Sequence, residues 1–258
     1  MGHHSGPVPA RDSPAGPAPA FPSMTDESIT AERTALDNHL RQLLPRFELA
    51  RTALPLVPEI ALWLFRDLHP DRPLDDETVN TLMETPPYWT LCWASGQVLA
   101  RHLLDHPELV RGRTVLDFGA GSGVVAIAAA LAGAGRVLAC DDDPVSRRAI
   151  RVNAAENGAA VETLATLEEG PVPDLITAAD ILYDRRNLPL LGQLAARAEA
   201  VLLADSRIPD LDPDGYTLFA TAEATTWPDP GEDVAFNNVR LFGAGRAAGE
   251  PRPEEEPA

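Results

Sequence analysis

Short apolar runs alternate with longer segments of helical periodicity over the second half of the chain. The runs are rich in valine, leucine and isoleucine, which is typical of buried strands. Apolar residues between the runs recur at three- and four-residue steps, as in amphipathic helices. Alternating strands and helices predict a parallel sheet with helices on both faces. The predicted strands lie at 115–118, 137–141, 161–164, 174–180, 201–205, 216–222 and 238–242.

The first half of the chain has a different pattern. Apolar residues recur at helical spacing from Ser28 to Leu44, and a further helix is predicted at 94–104. The run 60–65 is apolar throughout, and its periodicity leaves strand and helix both open. We therefore expect residues 28–110 to form an N-terminal helical region that packs on a core of residues 111–243.

The two ends of the chain are biased in composition. Residues 1–27 are rich in proline, alanine and glycine, whereas residues 244–258 are acidic and contain several prolines. Neither segment carries enough apolar surface to offset the conformational entropy that ordering it would cost. We expect both segments to be disordered.

One stretch of the core combines a strand, a turn and a helix within a few residues. An apolar run reaches Asp117, glycines follow at Gly119, Gly121 and Gly123, and the small apolar residues after them predict a buried helix. A strand that turns directly into a helix needs glycine, because the turn demands backbone angles that a Cβ disfavours. Backbone amides at the start of the helix can then contact a ligand.

The spacing of these glycines discriminates among the ligands that such turns bind. A dinucleotide turn has the pattern G-x-G-x-x-G, but here the third glycine comes one residue early, and Val124 stands at the dinucleotide position. A phosphate-binding loop ends in Gly-Lys-Ser/Thr, and this stretch contains no lysine. The pattern D-x-G-x-G-x-G, with Asp117 available for an ammonium group, favours S-adenosylmethionine. A tight turn without any ligand is the alternative interpretation.

Acidic residues end two further predicted strands. Asp141 follows the glycines by about twenty residues, where a carboxylate can bond both hydroxyls of a ribose. Asp180 ends the fourth strand. Because ligands of parallel sheets bind beyond the carboxyl ends of the strands, we expect Asp117, Asp141 and Asp180 to lie around one ligand. For Asp180, the alternative is an acid that caps a following turn.

A segment stiffened by proline precedes the glycine turn. Pro86 and Pro87 are followed closely by Tyr88, Trp89 and Trp93. Each aromatic side chain, taken alone, is best interpreted as part of the core. Together, on a loop next to the glycine turn, they also indicate a ring stacked near the ligand or around a substrate ammonium group.

Composition limits the partners. The formal net charge of −18 argues against nucleic acid, which is bound by clusters of lysine and arginine. It favours a basic partner, but solubility explains the charge equally well. Cys92 and Cys140 lack the spacing of a metal site, and we interpret them as buried thiols in a reducing cytosol. No apolar run approaches the ~18 residues of a membrane span, and the start of the chain does not resemble a signal peptide. We expect a soluble cytoplasmic monomer without a metal or a membrane partner.

These motifs resemble the class I S-adenosylmethionine-dependent methyltransferases, whose first motif is similar to Val115–Gly123 and whose second strand ends in an acid like Asp141. Asp180-Ile181-Leu182-Tyr183 is similar to the D-x-x-Y motif of their protein-lysine branch. The segments 56–60 and 86–101 resemble the electron-transfer-flavoprotein β-subunit lysine methyltransferases.

The resemblance covers roughly residues 50–205 and implies a fold, a cofactor and a substrate. The implied fold is α/β, with a Rossmann-like seven-stranded sheet that is mostly parallel and has an antiparallel last strand. Helices cover both faces, and a helical extension precedes the sheet. The implied cofactor is S-adenosylmethionine, and the implied substrate is a lysine side chain of the electron transfer flavoprotein β-subunit.

The resemblance also implies roles for single residues. Asp180 and Tyr183 would be catalytic and face the incoming amine. Asp117 would lie near the amino end of the cofactor, and Asp141 would hold its ribose. The other cofactor contacts that the family motifs imply are Trp93, Gly119, Ala120, Gly121 and Ala179.

The chain departs from the family pattern in three places. Leu182 stands where members tend to have phenylalanine, and Thr166 stands where they often have an acid. The segment 205–207, Asp-Ser-Arg, only partly matches the family's Asp-Pro-Gly-Arg. Three other functions therefore stay open: a methyltransferase of small amines, a cofactor-binding module without catalysis and, less favoured, a dinucleotide oxidoreductase.

Overall fold

The computed structural model describes most of the chain: residues 24–66, 68, 71 and 74–246. The segments predicted to be disordered, 1–27 and 244–258, lie mainly outside these residues. Where they overlap the structure, the predicted limits are wrong. The first helix begins at Asp26, and the last strand continues to Gly245, because the backbone there still pairs with the neighbouring strand at Ala200.

The described residues form six α-helices and nine β-strands. The helices are α1 (Asp26–Leu43), α2 (Asp76–Glu84), α3 (Ala94–Asp105), α4 (Val124–Leu131), α5 (Pro144–Glu156) and α6 (Leu188–Arg197). The strands are β1 (Leu49–Ala53), β2 (Ala61–Phe65), β3 (Thr114–Phe118), β4 (Arg136–Cys140), β5 (Glu162–Leu164), β6 (Leu175–Ala179), β7 (Ala200–Asp205), β8 (Tyr216–Glu223) and β9 (Asn238–Gly245). Among the described helices, none combines the length and the apolar character that crossing a membrane requires.

Seven of the strands form one sheet, in the order β5-β4-β3-β6-β7-β9-β8. The first five in this order are parallel, and β9 runs antiparallel to both of its neighbours. This confirms the predicted sheet with its antiparallel last strand. The direction in which strands are added reverses at β3, and ligands of such sheets bind in the crevice beyond the strand ends at that point.

Helices cover both faces of the sheet, as predicted. Val115 of β3 packs in an apolar cluster with residues of α3, α4 and α5, whereas its neighbour Leu116 packs in a second cluster with residues of α6. Side chains alternate between the two faces of a strand, so the two clusters lie on opposite sides of the sheet. Residues of β4 and β7 divide between the clusters in the same alternating way.

The expectation that residues 28–110 form a helical region is only partly right, because β1 and β2 form an antiparallel hairpin between α1 and α2. Leu49 pairs with Phe65 at its open end. The apolar run that periodicity left open is therefore a strand. Leu62 and Leu64 are fully buried while Ala61 and Trp63 are partly exposed, a two-residue period that an entirely apolar run conceals; Phe65 at the end of the strand is also buried.

Two asparagine side chains, one in α5 and one at its C-cap, satisfy backbone groups of β2. Asn153 accepts a hydrogen bond from the Trp63 amide at 2.9 Å, and Asn157 accepts one from the Ala61 amide at 3.0 Å. The spacings match, because residues four apart in a helix rise by about 6 Å and residues two apart in a strand by about 6.6 Å. Asn153 also donates to the Ser122 carbonyl in the glycine turn. These contacts fix the hairpin, α5 and the turn relative to one another.

Candidate active site

A cleft of about 1050 Å³ lies at the carboxyl ends of β3, β4 and β6. One wall comes from residues 84–89 and Trp93, which precede α3, and another from α6 and the segment before it. Of the nine residues singled out from the sequence, Asp117 and Ala120 are not among those that line the cleft. The seven that line it are Trp93, Gly119, Gly121, Asp141, Ala179, Asp180 and Tyr183.

The glycine turn presents bare backbone to this cleft. Gly119 has a φ of 68°, in the left-handed region that a side chain disfavours. A Cβ at this position would also lie 2.8 Å from Cγ2 of Ile181. Both reasons exclude a side chain from Gly119, so the sequence keeps this part of the cleft open for a ligand. The Gly119 amide donates to the Cys140 carbonyl at 2.9 Å, which ties the turn to the end of β4.

Asp117 points away from the cleft. Its carboxylate is buried, and it accepts hydrogen bonds from the Thr177 hydroxyl at 2.9 Å and from the Ala126 amide at 3.2 Å. Burial raises the pKa of this carboxyl group to about 7, and the two hydrogen bonds oppose that rise. The structure thus places Asp117 as a brace between β3, β6 and the first turn of α4, rather than as the direct ligand contact that the resemblance implies.

Asp141 lies at the rim of the cleft beside the glycine turn. One carboxylate oxygen accepts from the Gly121 amide at 2.8 Å, and the other accepts from the Asp143 amide at 3.0 Å. Burial raises the pKa of Asp141, and these two amides counteract the effect. Each oxygen keeps a further acceptor position, so the side chain can take two hydroxyl donors at once.

The carboxylate of Asp180 is held by three hydrogen bonds. Its backbone φ of 52° is in the left-handed region, which aspartate tolerates better than most residues. Ser95 donates to both carboxylate oxygens, through its hydroxyl at 2.6 Å and its amide at 3.0 Å, and the Ser206 hydroxyl donates to Oδ1 at 3.0 Å. A carboxylate offers about four acceptor positions. Three are used by these donors, and the position that stays open is on Oδ2.

Burial raises the pKa of Asp180, and the guanidinium of Arg207 is the largest influence in the opposite direction. Arg207 Nε lies 3.8 Å from Oδ1 of Asp180. The hydrogen bonds from Ser95 and Ser206 also favour the charged form. The site therefore holds a desolvated carboxylate that three donors and one cation stabilise.

Three aromatic rings stand next to this carboxylate. The ring of Tyr88 lies 5.9 Å from that of Trp93 and 5.2 Å from that of Tyr183, measured between centroids. Tyr88 and Tyr183 are among the most exposed large apolar side chains of the described chain. Trp89, by contrast, is buried in the core beside α1 and the hairpin. The core interpretation thus holds for Trp89, whereas Tyr88 and Trp93 line the cleft, as the second interpretation expects.

The lining of the cleft is strongly acidic. Such a surface attracts cationic groups and repels phosphates, which fits an ammonium or sulfonium ligand better than a dinucleotide. Against one arginine, Arg207, the described lining residues include seven carboxylate side chains: Glu84, Asp141, Asp142, Asp143, Glu168, Asp180 and Glu232.

Several residues of the site were not found from the sequence. Ser95 and Ser206 hold Asp180 although they lie 85 and 26 positions away along the chain. Thr177 does the same for Asp117. Small hydroxyl residues carry no spacing pattern of their own. A signal did exist for Arg207, since it lies two positions after Asp205, the acid that ends the fifth parallel strand.

The sheet order and the glycine turn define the class I methyltransferase fold, and residues 99–185 match the family model described as ribosomal protein L11 methyltransferase. The chain is 35% identical over 187 residues to the electron transfer flavoprotein beta subunit lysine methyltransferase of Rattus norvegicus. That alignment covers 68% of this chain and 71% of the rat protein. The chain therefore belongs to this family of lysine methyltransferases.

Relatives with the same name span a similar part of the chain. The protein of Xenopus laevis is 41% identical over 145 residues, which cover 54% of this chain and 57% of the relative. The human protein is 36% identical over 154 residues, with 58% and 57% covered. The chain thus spans little more than half the length of these two relatives. Among solved structures, a ribosomal protein L11 methylase from Lactobacillus delbrueckii subsp. bulgaricus has a TM-score of 0.46 and 27% identity, covering 58% of this chain and 78% of that one.

The raised pKa of Asp117 predicts a pH-dependent stability. A buried carboxyl group with a pKa of about 7 binds its proton more tightly in the folded than in the unfolded protein. Its contribution to the free energy of unfolding is therefore present below pH ~4 and is lost as the pH rises through ~7. Asp117→Asn should remove this loss, and the stability of the variant relative to wild type should rise by on the order of 1–3 kcal/mol between about pH 4.5 and 7.5.

Urea unfolding at a series of pH values measures this difference. The exposed Asp212→Asn is the matched control and should follow the wild-type curve. Parallel curves for wild type and Asp117→Asn would show that the carboxyl group titrates alike in the folded and unfolded chains.

Proposed function

We propose that this protein is an S-adenosylmethionine-dependent methyltransferase that acts as a monomer and methylates lysine side chains of the electron transfer flavoprotein β-subunit. Membership of the family supports the reaction and the substrate. The observation that carries the proposal is the Asp180 carboxylate, which keeps an acceptor position open beside exposed aromatic rings at the end of the cleft.

The residues of the cleft fit S-adenosylmethionine in three respects. Gly119 and Gly121 leave room for close approach to the backbone. Asp141 can accept from two ribose hydroxyls while it keeps its bonds to the turn. Trp93 and Ala179 line the walls between these groups and Asp180. The acidic lining suits the positive charges of the ligand's sulfonium and ammonium groups. Ala120 would contribute through the turn that it completes.

When bound, S-adenosylmethionine supplies a methyl group on a positively charged sulfur. The protein then has to bring the nucleophilic nitrogen into line with that group and exclude water. Asp141 and the glycine turn fix the position of the cofactor, and Asp180 fixes the position of the nitrogen. In this arrangement one carboxylate binds the cofactor and the other binds the substrate nitrogen.

The incoming lysine must lose a proton, because its amine has an unperturbed pKa of about 10.4. The rings of Tyr88, Trp93 and Tyr183 desolvate the amine, which lowers the pKa of the lysine. The negative charge of Asp180 acts in the opposite direction. Asp180 therefore serves chiefly to orient the amine through Oδ2, and Tyr183 covers the approach from solvent and can exchange a hydrogen bond with the amine.

The charge of the protein is consistent with a protein substrate that is basic around its target. The net charge is −18, and the acidic side chains at the cleft continue this field to the reacting groups. Such a field attracts a basic surface over distances of the order of the Debye length. Cys92 and Cys140 are free and buried, which fits the cytoplasm as the compartment that we propose.

Mass spectrometry of the purified β-subunit tests the substrate directly. After incubation with this enzyme and S-adenosylmethionine, we expect lysine-containing peptides of the β-subunit to gain the mass of one or more methyl groups. Omission of the enzyme is the control. If labelled methyl groups enter low-mass material of a cell extract but no protein, the enzyme acts on small amines and the proposed substrate is wrong.

The variant Asp180→Asn tests the role of the carboxylate. Asparagine keeps the shape of the side chain and tolerates the left-handed backbone, while the negative charge is lost. We expect kcat for methylation to fall by on the order of a hundredfold or more, with the affinity for the cofactor within about threefold of wild type. Asp184→Asn, just beyond Tyr183 and outside the lining of the cleft, is the matched control. Loss of cofactor affinity in Asp180→Asn would place this residue at the cofactor instead of the amine.

A further inference from the structure

Arg207 is held between two aromatic rings at the edge of the cleft. Its guanidinium carbon lies 4.9 Å from the centroid of Trp93 and 4.6 Å from that of Phe236. The side chain is only 12% exposed. Trp93 precedes α3 and Phe236 lies between β8 and β9, so the arginine connects three parts of the chain around the end of β7.

The three side-chain nitrogens of Arg207 differ in their contacts. Nη1 donates to Oε1 of Glu232 at 2.7 Å, and Nε lies 3.8 Å from Oδ1 of Asp180. Nη2 is buried and has no hydrogen-bond partner among the described residues. A buried donor of this kind is uncommon and usually has a functional or strained origin. Glu232 therefore compensates only part of the charge of the guanidinium, which also acts on the Asp180 carboxylate.

We propose that Arg207 is a positioning residue for methyl transfer, which keeps the Asp180 carboxylate ionised and directs its open oxygen toward the incoming amine. The inference rests on the proposed function. Ser95 and Ser206 occupy Oδ1 together with the nearby Nε of Arg207, so Oδ2 is the oxygen that the amine meets. Arg207 approaches Asp180 at Oδ1.

The surroundings of Asp180 explain why a cation is needed there. Asp205, at the end of β7, is a second buried acid, and its charge interacts unfavourably with that of Asp180. Cys92, before α3, is a buried thiol whose pKa is raised by burial, so it adds no charge. Glu232 is a third acid, held by Arg207. Without the guanidinium, desolvation and two neighbouring carboxylates would favour the protonated form of Asp180.

The variant Arg207→Met removes the charge and keeps a flexible apolar side chain between the two rings. The pKa of Asp180 should then rise, so that a larger share of the enzyme carries a neutral carboxyl group at low pH. We expect the ratio of wild-type to variant kcat/KM on the β-subunit to be about tenfold larger near pH 6.5 than near pH 9. The pKa of the free substrate lysine is the same for both enzymes, so its deprotonation cancels in this ratio.

Two further variants separate charge from packing. Arg207→Lys restores the cation and should bring the ratio closer to a constant value across the pH range. Glu232→Gln keeps the contact to Nη1 but removes a negative charge, so it should shift the acid limb of kcat/KM in the direction opposite to Arg207→Met. The exposed Arg186→Met is the matched control and should behave as wild type. Cofactor affinity should be unchanged in all four variants.

A kcat/KM ratio for Arg207→Met that is the same at every pH would overturn the inference, because a purely structural role lowers activity uniformly. If Arg207→Met does not fold, the direction of the shift in Glu232→Gln decides, and no shift there overturns the inference. A wild-type enzyme that leaves the β-subunit unmodified would refute the proposed function and, with it, this role of Arg207. An active wild type with pH-independent ratios would refute the role of Arg207 alone.

Discussion

The fixed turn between β3 and α4 is the constraint on which the rest of the site depends. Three residues of this turn are glycines, which have no side chains that could hold it. Its anchors come from neighbouring elements: the Cys140 carbonyl and Asp141 from β4 and its end, Asn153 from α5, and Asp117 from β3. Glycine makes the close approach of a ligand possible, and these contacts restore the rigidity that glycine removes.

This arrangement concentrates negative charge in a desolvated place. Burial raises the pKa of Asp117, Asp141, Asp180 and Asp205, so each carboxylate is less stable in its charged form than it would be in water. The hydrogen bonds and Arg207 offset part of this cost. A site with such an excess of negative charge is suited to cationic ligands, whose arrival neutralises it. The same electrostatics would favour the proposed donor with a sulfonium group and the proposed amine acceptor.

Much of the sheet could be predicted from the sequence, because parallel strands are buried on both faces and appear as apolar runs. The acids at the strand ends could be found for a similar reason, since polar residues next to such runs stand out. The direction in which each of these acidic side chains points could not be predicted from the sequence. Asp117 and Asp141 both come at the end of an apolar run, yet Asp117 lies within β3, level with Ala139, and bonds to Thr177, whereas Asp141 follows β4 and lines the cleft.

Contacts between distant segments could not be predicted from the sequence either. In the hairpin of β1 and β2, backbone amides of β2 donate to the side chains of Asn153 and Asn157, some ninety positions away. Asp180 is held by Ser95 from α3, and its neighbour Arg207 is stacked on Phe236 from the segment before β9. None of these pairs has a local pattern, because the geometry that joins them arises only after the sheet has formed.

The central claim is that the strand-end carboxylate of Asp141 and the glycine turn together bind S-adenosylmethionine. Isothermal titration calorimetry of the cofactor into wild type and Asp141→Ala tests this claim most directly, with NADH as the comparison ligand. The account predicts binding of S-adenosylmethionine to wild type, affinity at least about tenfold weaker in the variant, and no binding of NADH. Heat with NADH and none with S-adenosylmethionine would contradict it, as would equal affinities of the two proteins for the cofactor.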